Sequence, residues 1–174
     1  DGGTPADIVA TDATLGLAGL HRAEGAVGFG GAGQINLIGT LQLGSQETTG
    51  WVGVDTEATF NLQDAASITG DGELENRGTL HAGAQTLCVN LNNAGTAHLV
   101  GTTLAAGFSN TGTLNLSGVV TSQSDAELAG GTINLLSGSS LRLEDATLAW
   151  SDGILTGLGT LNFASGSTLA FTGS

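Results

Sequence analysis

The sequence predicts an all-β chain wound as a single right-handed parallel β-helix, a β-solenoid of about 17–20 residues per rung with insertions. Three observations carry this. A short pattern, best seen in Phe108-Ser-Asn-Thr-Gly-Thr-Leu-Asn-Leu116, recurs along most of the chain. Within it Phe108, Asn110, Leu114 and Leu116 alternate with Ser109, Thr111, Thr113 and Asn115, the two-residue period of a strand. Finally, no segment sustains apolar residues at 3–4 spacing, and 30 glycines interrupt any helical reading.

In chain order, residues 1–12 combine turn formers with the only proline, Pro5, and read as an opening segment before repeats that fill 13–174. One domain spans the whole. The copies begin at Ala13, Gly33, Ala58, Gly78, Gly95, Gly112, Gly131 and Gly159. Separations of 20, 25, 20, 17, 17, 19 and 28 residues suit a solenoid turn with corner insertions. A second strand per turn is expected at Thr40-Leu-Gln-Leu43, Thr86-Leu-Cys-Val89, Ser140-Leu-Arg-Leu143 and Ser167-Thr-Leu-Ala-Phe171. A third leads into the next copy, as at Leu74-Glu-Asn76, Leu91-Asn-Asn93 and Phe108-Ser-Asn110. Two long gaps, 38–57 and 136–158, hold Trp51 and Trp150, and each indole is expected where a loop folds back onto the coil.

Composition narrows the function classes. Hydrophobic residues make up 40% of the chain, too many for disorder, whereas aromatics are only 4%. The net charge is −13 with no lysine, and Arg22, Arg77 and Arg142 are the only strong bases. That balance argues against nucleic acid and anionic membranes, which need clustered cations. No apolar run reaches the roughly 20 residues of a membrane span, and Asp1 reads as the start of a processed form or of an excerpt. The single cysteine, Cys88, allows no internal disulfide, and its parity predicts an exposed thiol.

The period predicts two columns. Asn76, Asn93 and Asn110 lie 17 residues apart and point inward, so stacked rungs should link their amides in a ladder. Outward run Thr59/Asn61, Thr79/His81, Thr96/His98, Thr113/Asn115, Thr132/Asn134 and Thr160/Asn162, preceded by Gln34/Asn36. This Thr-x-Asn array is the candidate binding surface, able to order water as an ice-binding face does or to contact a glycan or protein. The plainer reading is preferred: outward strand positions favour Thr by β propensity, and Asn favours nearby turns. His81 and His98 should stack, yet a zinc or copper site wants three or four ligands and no third is evident. No metal and no cofactor is therefore expected.

Repeats of the form N-x-G-T-L, here Asn76-Arg-Gly-Thr-Leu80 and Asn110-Thr-Gly-Thr-Leu114, resemble the β-solenoids of bacterial surface proteins, namely autotransporter passenger domains and filamentous-haemagglutinin-type adhesins. The resemblance covers about residues 30–174 and implies a secreted or cell-surface stalk, adhesin or fibre. It includes no translocator barrel or protease domain.

Catalysis is poorly supported. Asp71, Glu73 and Glu75, Asp125 and Glu127, and Glu144-Asp145 read as solvated acidic faces. They match neither an EF-hand nor the Gly-Gly-x-Gly-x-Asp calcium repeat. Polysaccharide lyases and hydrolases use β-helices, but they need converging carboxylates with basic or aromatic subsites. The expected function is a non-enzymatic extracellular adhesive or structural module, stacking head to tail on copies of itself or meeting a host glycan or protein. Ice binding is the alternative, and a polysaccharide-acting enzyme comes third.

Overall fold

The computed structural model describes residues 6–44 and 49–173. The chain is a parallel β-solenoid of about eight turns, and every pairing along it is parallel, each strand stacking on the equivalent segment one turn later. The strands form three columns. The first holds Ala6–Val9, Ala26–Gly30, Gly50–Val54, Gly72–Asn76, Asn90–Asn93 and Phe108–Asn110. The second holds Thr14–Leu17, Gln34–Leu37, Thr59–Leu62, Thr79–Ala82, Thr96–Val100 and Thr113–Ser117. The long strands Ala126–Leu135 and Thr147–Gly157 turn the corner between these columns through register shifts and join them into one 15-stranded sheet. The third column, an 8-stranded sheet, runs from Leu20–Ala23 and Thr40–Leu43 through Val119–Ser122 and Ser140–Leu143 to Thr160–Phe163.

Period two fixes what is inside. Ile35, Phe60, Leu80, Ala97, Leu114 and Ile133 stack in one fully buried inward row of the second column. Opposite rows bring Leu74, Leu91 and Leu128 from the first column, and Leu41, Ile68, Leu87 and Leu104 from the third. Each buried Leu or Ile side chain contributes roughly 1.5–3 kcal/mol relative to exposure. The rows, together with the backbone ladders, hold the coil without a disulfide. Near the start of the core the Phe29 and Phe60 rings meet with centroids 4.8 Å apart.

The N-x-G corner has a spatial cause. Successive rungs approach so closely that a Cβ on Gly95 would strike the carbonyl oxygen of Gly78, and one on Gly112 that of Gly95. The asparagine two residues earlier ties the same corner together. The Asn93 carbonyl accepts from Thr111 N (2.9 Å) and Gly112 N (3.0 Å) of the next turn. Its side-chain Nδ2 donates to Asn110 Oδ1 (2.7 Å) and to the Thr113 carbonyl (3.1 Å). Asn76 Nδ2 likewise reaches Asn93 Oδ1 (2.7 Å). The amide ladder is therefore present, buried over three turns.

Several expectations are corrected. Thr160–Phe163 does not stack on Thr132–Asn134; its partner is Ser140–Leu143 in the third column, and the second column continues as Ile154–Gly157. The segment 167–171 belongs to the first column, paired with Thr147–Trp150, rather than to the second strand of a turn. Both tryptophans stand in paired strands of the coil and not in loops folded back onto it. Trp51 pairs in strand Gly50–Val54 and its ring covers Gly53, so no Cβ fits there. Trp150 stacks above Leu128 and meets Phe171 at 5.7 Å. The opening segment already holds a paired strand, Ala6–Val9, while Gly2, Gly3 and Pro5 lie outside the described residues.

Candidate functional site

The second column carries the Thr-x-Asn array because parallel, in-register pairing sets like residues directly opposite one another. Thr59, Thr79, Thr96, Thr113 and Thr132 form one row over five turns. Asn36, Asn61, His81, His98, Asn115 and Asn134 form the row two residues on. Thr14 and Gln34 extend the first row at its start, and Ile154 and Thr156 end the two rows. The five threonines are half-buried, each one strand spacing, about 4.8 Å, from the next.

Much of the amide capacity is turned inward on itself. Asn61 Nδ2 donates to Asn36 Oδ1 at 2.8 Å, and Asn134 Nδ2 to Asn115 Oδ1 at 3.2 Å. Between these pairs the row is interrupted by two imidazoles, stacked with centroids 4.7 Å apart and planes within 7°. Burial holds the His81 imidazole below its ordinary pKa, and the like charge on a protonated His98 pushes the same way. Neutral His81 is thus the favoured form near pH 7.

Thr160 and Asn162, expected to close this array, lie on the third sheet instead, opposite Ser140 and Arg142. The array is shorter than the motif suggests. The same sheet carries a hydroxyl row that the motif search missed: Thr40 faces Ser67, with their oxygens 3.0 Å apart, and Thr86, Thr103 and Thr121 follow in register. The near-constant spacing of Thr86, Thr103 and Thr121 was the available signal. Thr86, Thr103 and Thr121 lack the Gly-Thr start that marks the second column.

The ladder residues Asn76, Asn93 and Asn110 are buried and serve the interior, not the surface. Asn76 Oδ1, at the ladder's start, has no partner among the described atoms, since Val54 stands above it. The acidic groups spread along the first sheet's outer face. Glu73 accepts from Asn92, Glu75 pairs with Arg77 at 2.6 Å, and Arg142 pairs with Glu144 at 3.0 Å on the third sheet. Asp125 takes the Thr147 amide at 2.8 Å and lines an open depression with Asn90, Ser109 and Glu127. Among the described residues no three His, Cys, Asp or Glu side chains gather to hold a metal. Cys88 is exposed. No helix of the structure is long and apolar enough to cross a membrane.

Comparison with protein-family models, with curated proteins and with solved structures found no match to this chain.

Proposed function

We propose that the chain is a non-catalytic structural and adhesive rod of the extracellular or bacterial-surface kind, in the manner of autotransporter passengers and filamentous adhesins, which extends by head-to-tail stacking of copies. One observation supports this reading: among the described residues the outermost turns leave strands of the same three columns without a further partner, a surface open to a copy or to further turns of a longer chain. At the last turn Phe171 is 72% and Phe163 40% exposed, although both stand at inward positions below Trp150 and Leu143. At the first described turn a cavity of about 220 Å³, apolar but for His21 and Arg22 at its edge, opens between Ile8, Leu17, Ala23, Val27 and Phe29. Following the columns round, a stacked copy sets Phe171 against Ile8 and Phe163 against His21, beside that cavity. Open strand edges with apolar inward residues recruit further strands unless charges block them, and a head-to-tail contact of this kind propagates rather than closes.

Negative-stain electron microscopy and light scattering across a concentration series test it. Rods of several chain lengths are expected in the parent, reverting to single-chain rods when Phe171→Asp places a charge on the edge. Monodisperse single-chain rods of the parent at all concentrations overturn the stacking.

Ice binding is the second reading, favoured by the straight hydroxyl row Thr59–Thr79–Thr96–Thr113–Thr132. It predicts thermal hysteresis that Thr113→Leu, in the middle of the row, abolishes. Absence of hysteresis in the parent removes this reading and leaves the rod.

A further inference from the structure

We propose that His81 and His98 form a surface chelate for a divalent first-row transition ion, Cu²⁺ ahead of Ni²⁺ and Zn²⁺, with water completing the coordination shell. The two residues stand directly opposite on adjacent parallel strands. Their rings are stacked at 4.7 Å within 7° of parallel, and neither ring makes a hydrogen bond to protein among the described residues. Both imidazoles are therefore unengaged, one strand spacing apart, on an outward face.

The placement on adjacent strands puts both rings within reach of one ion, once they turn out of the stack. Imidazole nitrogens at about 2.0–2.1 Å from a shared ion lie roughly 3–4 Å from each other. The 4.7 Å separates ring centres in nearly parallel planes, so as the rings stand their in-plane lone pairs run side by side and do not converge. Opposite rotations of the two rings about χ2, a broad and soft torsion for histidine, break the stack and aim one nitrogen of each at a shared ion. The ligand form is neutral imidazole, which burial already favours at His81. No cation competes along the row, where Asn61 and Asn115 flank the pair and Thr79 and Thr96 stand two residues back. Across the whole chain 16 carboxylates oppose three arginines, a field that concentrates divalent cations near the surface. The order of metals follows the general rise in affinity towards copper and the suitability of imidazole for all three. With two protein ligands the ion keeps exchangeable water, unlike a closed four-ligand structural zinc.

The test uses the whole chain in a Cys88→Ser background, because the exposed thiol is a rival copper ligand. Each metal salt alone is titrated by calorimetry, and Cu²⁺ is also read by electron paramagnetic resonance. His81→Asn and His98→Asn continue the amide row of Asn61 and Asn115, so both variants are expected to keep the parent's circular dichroism. One equivalent of Cu²⁺ is expected to bind at least tenfold more tightly to the background protein than to either variant, with two equatorial nitrogens that fall to one in each. His21→Gln should leave the Cu²⁺ affinity and spectrum unchanged. Equal affinity in the background and the His81→Asn variant, a one-nitrogen spectrum before substitution, or loss of binding with His21→Gln each overturns the chelate.

Discussion

Replacing Asn93 by Leu is expected to lower the unfolding free energy by about 3 kcal/mol, an effect of core-cavity size from a substitution that creates no cavity. Asn93 is the middle of the buried ladder: its Oδ1 accepts from Asn76 and its Nδ2 donates to Asn110 and to the Thr113 carbonyl. Leucine fills similar space but leaves an Asn76 N–H without the ladder acceptor and Asn110 Oδ1 without its donor. Each buried group stranded in this way costs roughly 1–3 kcal/mol. The wild-type ladder already carries one such group, Asn76 Oδ1, so the damage adds to an existing strain on the same column. Converting Asn76, Asn93 and Asn110 together to Leu should be milder than three single losses, because no ladder amide remains to be stranded and only backbone carbonyls such as those of Thr96 and Thr113 lose a side-chain donor. The column itself supports that expectation, since Val54 precedes the ladder and Leu128 follows it, both fully buried. Urea titrations compared at constant slope decide the matter. A single variant as stable as the parent, or a triple variant that loses the sum of the singles, removes the ladder's energetic role.

These two columns also explain what was legible in the sequence. The inward row of asparagines is visible because burial makes it strict: a hydrogen-bonded amide tolerates no other residue type without loss, so the 17-residue interval is written plainly. The outward array is written loosely, since half-exposed Thr and Asn contribute little to register. That looseness misplaced Thr160 and Asn162. The motif Gly159-Thr-Leu-Asn-Phe163 looks like a further copy, but a 28-residue step overshoots one turn by a strand. The true continuation, Gly153-Ile-Leu-Thr156, has lost the Asn while keeping Leu155 under Ile133. Meanwhile Phe163 is set by Leu143 above it on the third sheet. Register follows the interior, and a motif defined by surface residues cannot count turns. The tryptophans differ from expectation for a related reason: in place of a folded-back loop, Trp51 lies on the outside of a rung over a glycine and Trp150 stands half-buried at an inward position against Phe171.

Gly112→Ala is the second large effect expected, about 2–3 kcal/mol, and it separates two uses of glycine in this chain. At Gly112 the issue is space. An added Cβ meets the Gly95 carbonyl oxygen and the Ala94 carbonyl carbon at 2.6 Å, all of it backbone of the preceding turn. Backbone held by ladders on both sides cannot step aside as a side chain does, so the turns must separate. Separation then loosens the Gly112 N–H bond to the Asn93 carbonyl (3.0 Å) and strains the Asn110 amide bond to the Gly112 carbonyl (3.1 Å). Gly25 is the control: nothing lies within 4 Å of its would-be Cβ, so Gly25→Ala should be neutral or slightly stabilising through the unfolded chain. Denaturant titration gives both values, and amide hydrogen exchange should show lost protection in Thr113–Ser117 for the Gly112 variant only. A Gly112→Ala chain within about 0.5 kcal/mol of the parent, the range of ordinary surface changes, would mean the corner has slack that the close approach denies. The corner glycines thereby fix the distance between turns. Any function resting on the regular spacing of Thr96, Thr113 and Thr132, or on His81 facing His98, depends on a column of residues that carry no side chain at all.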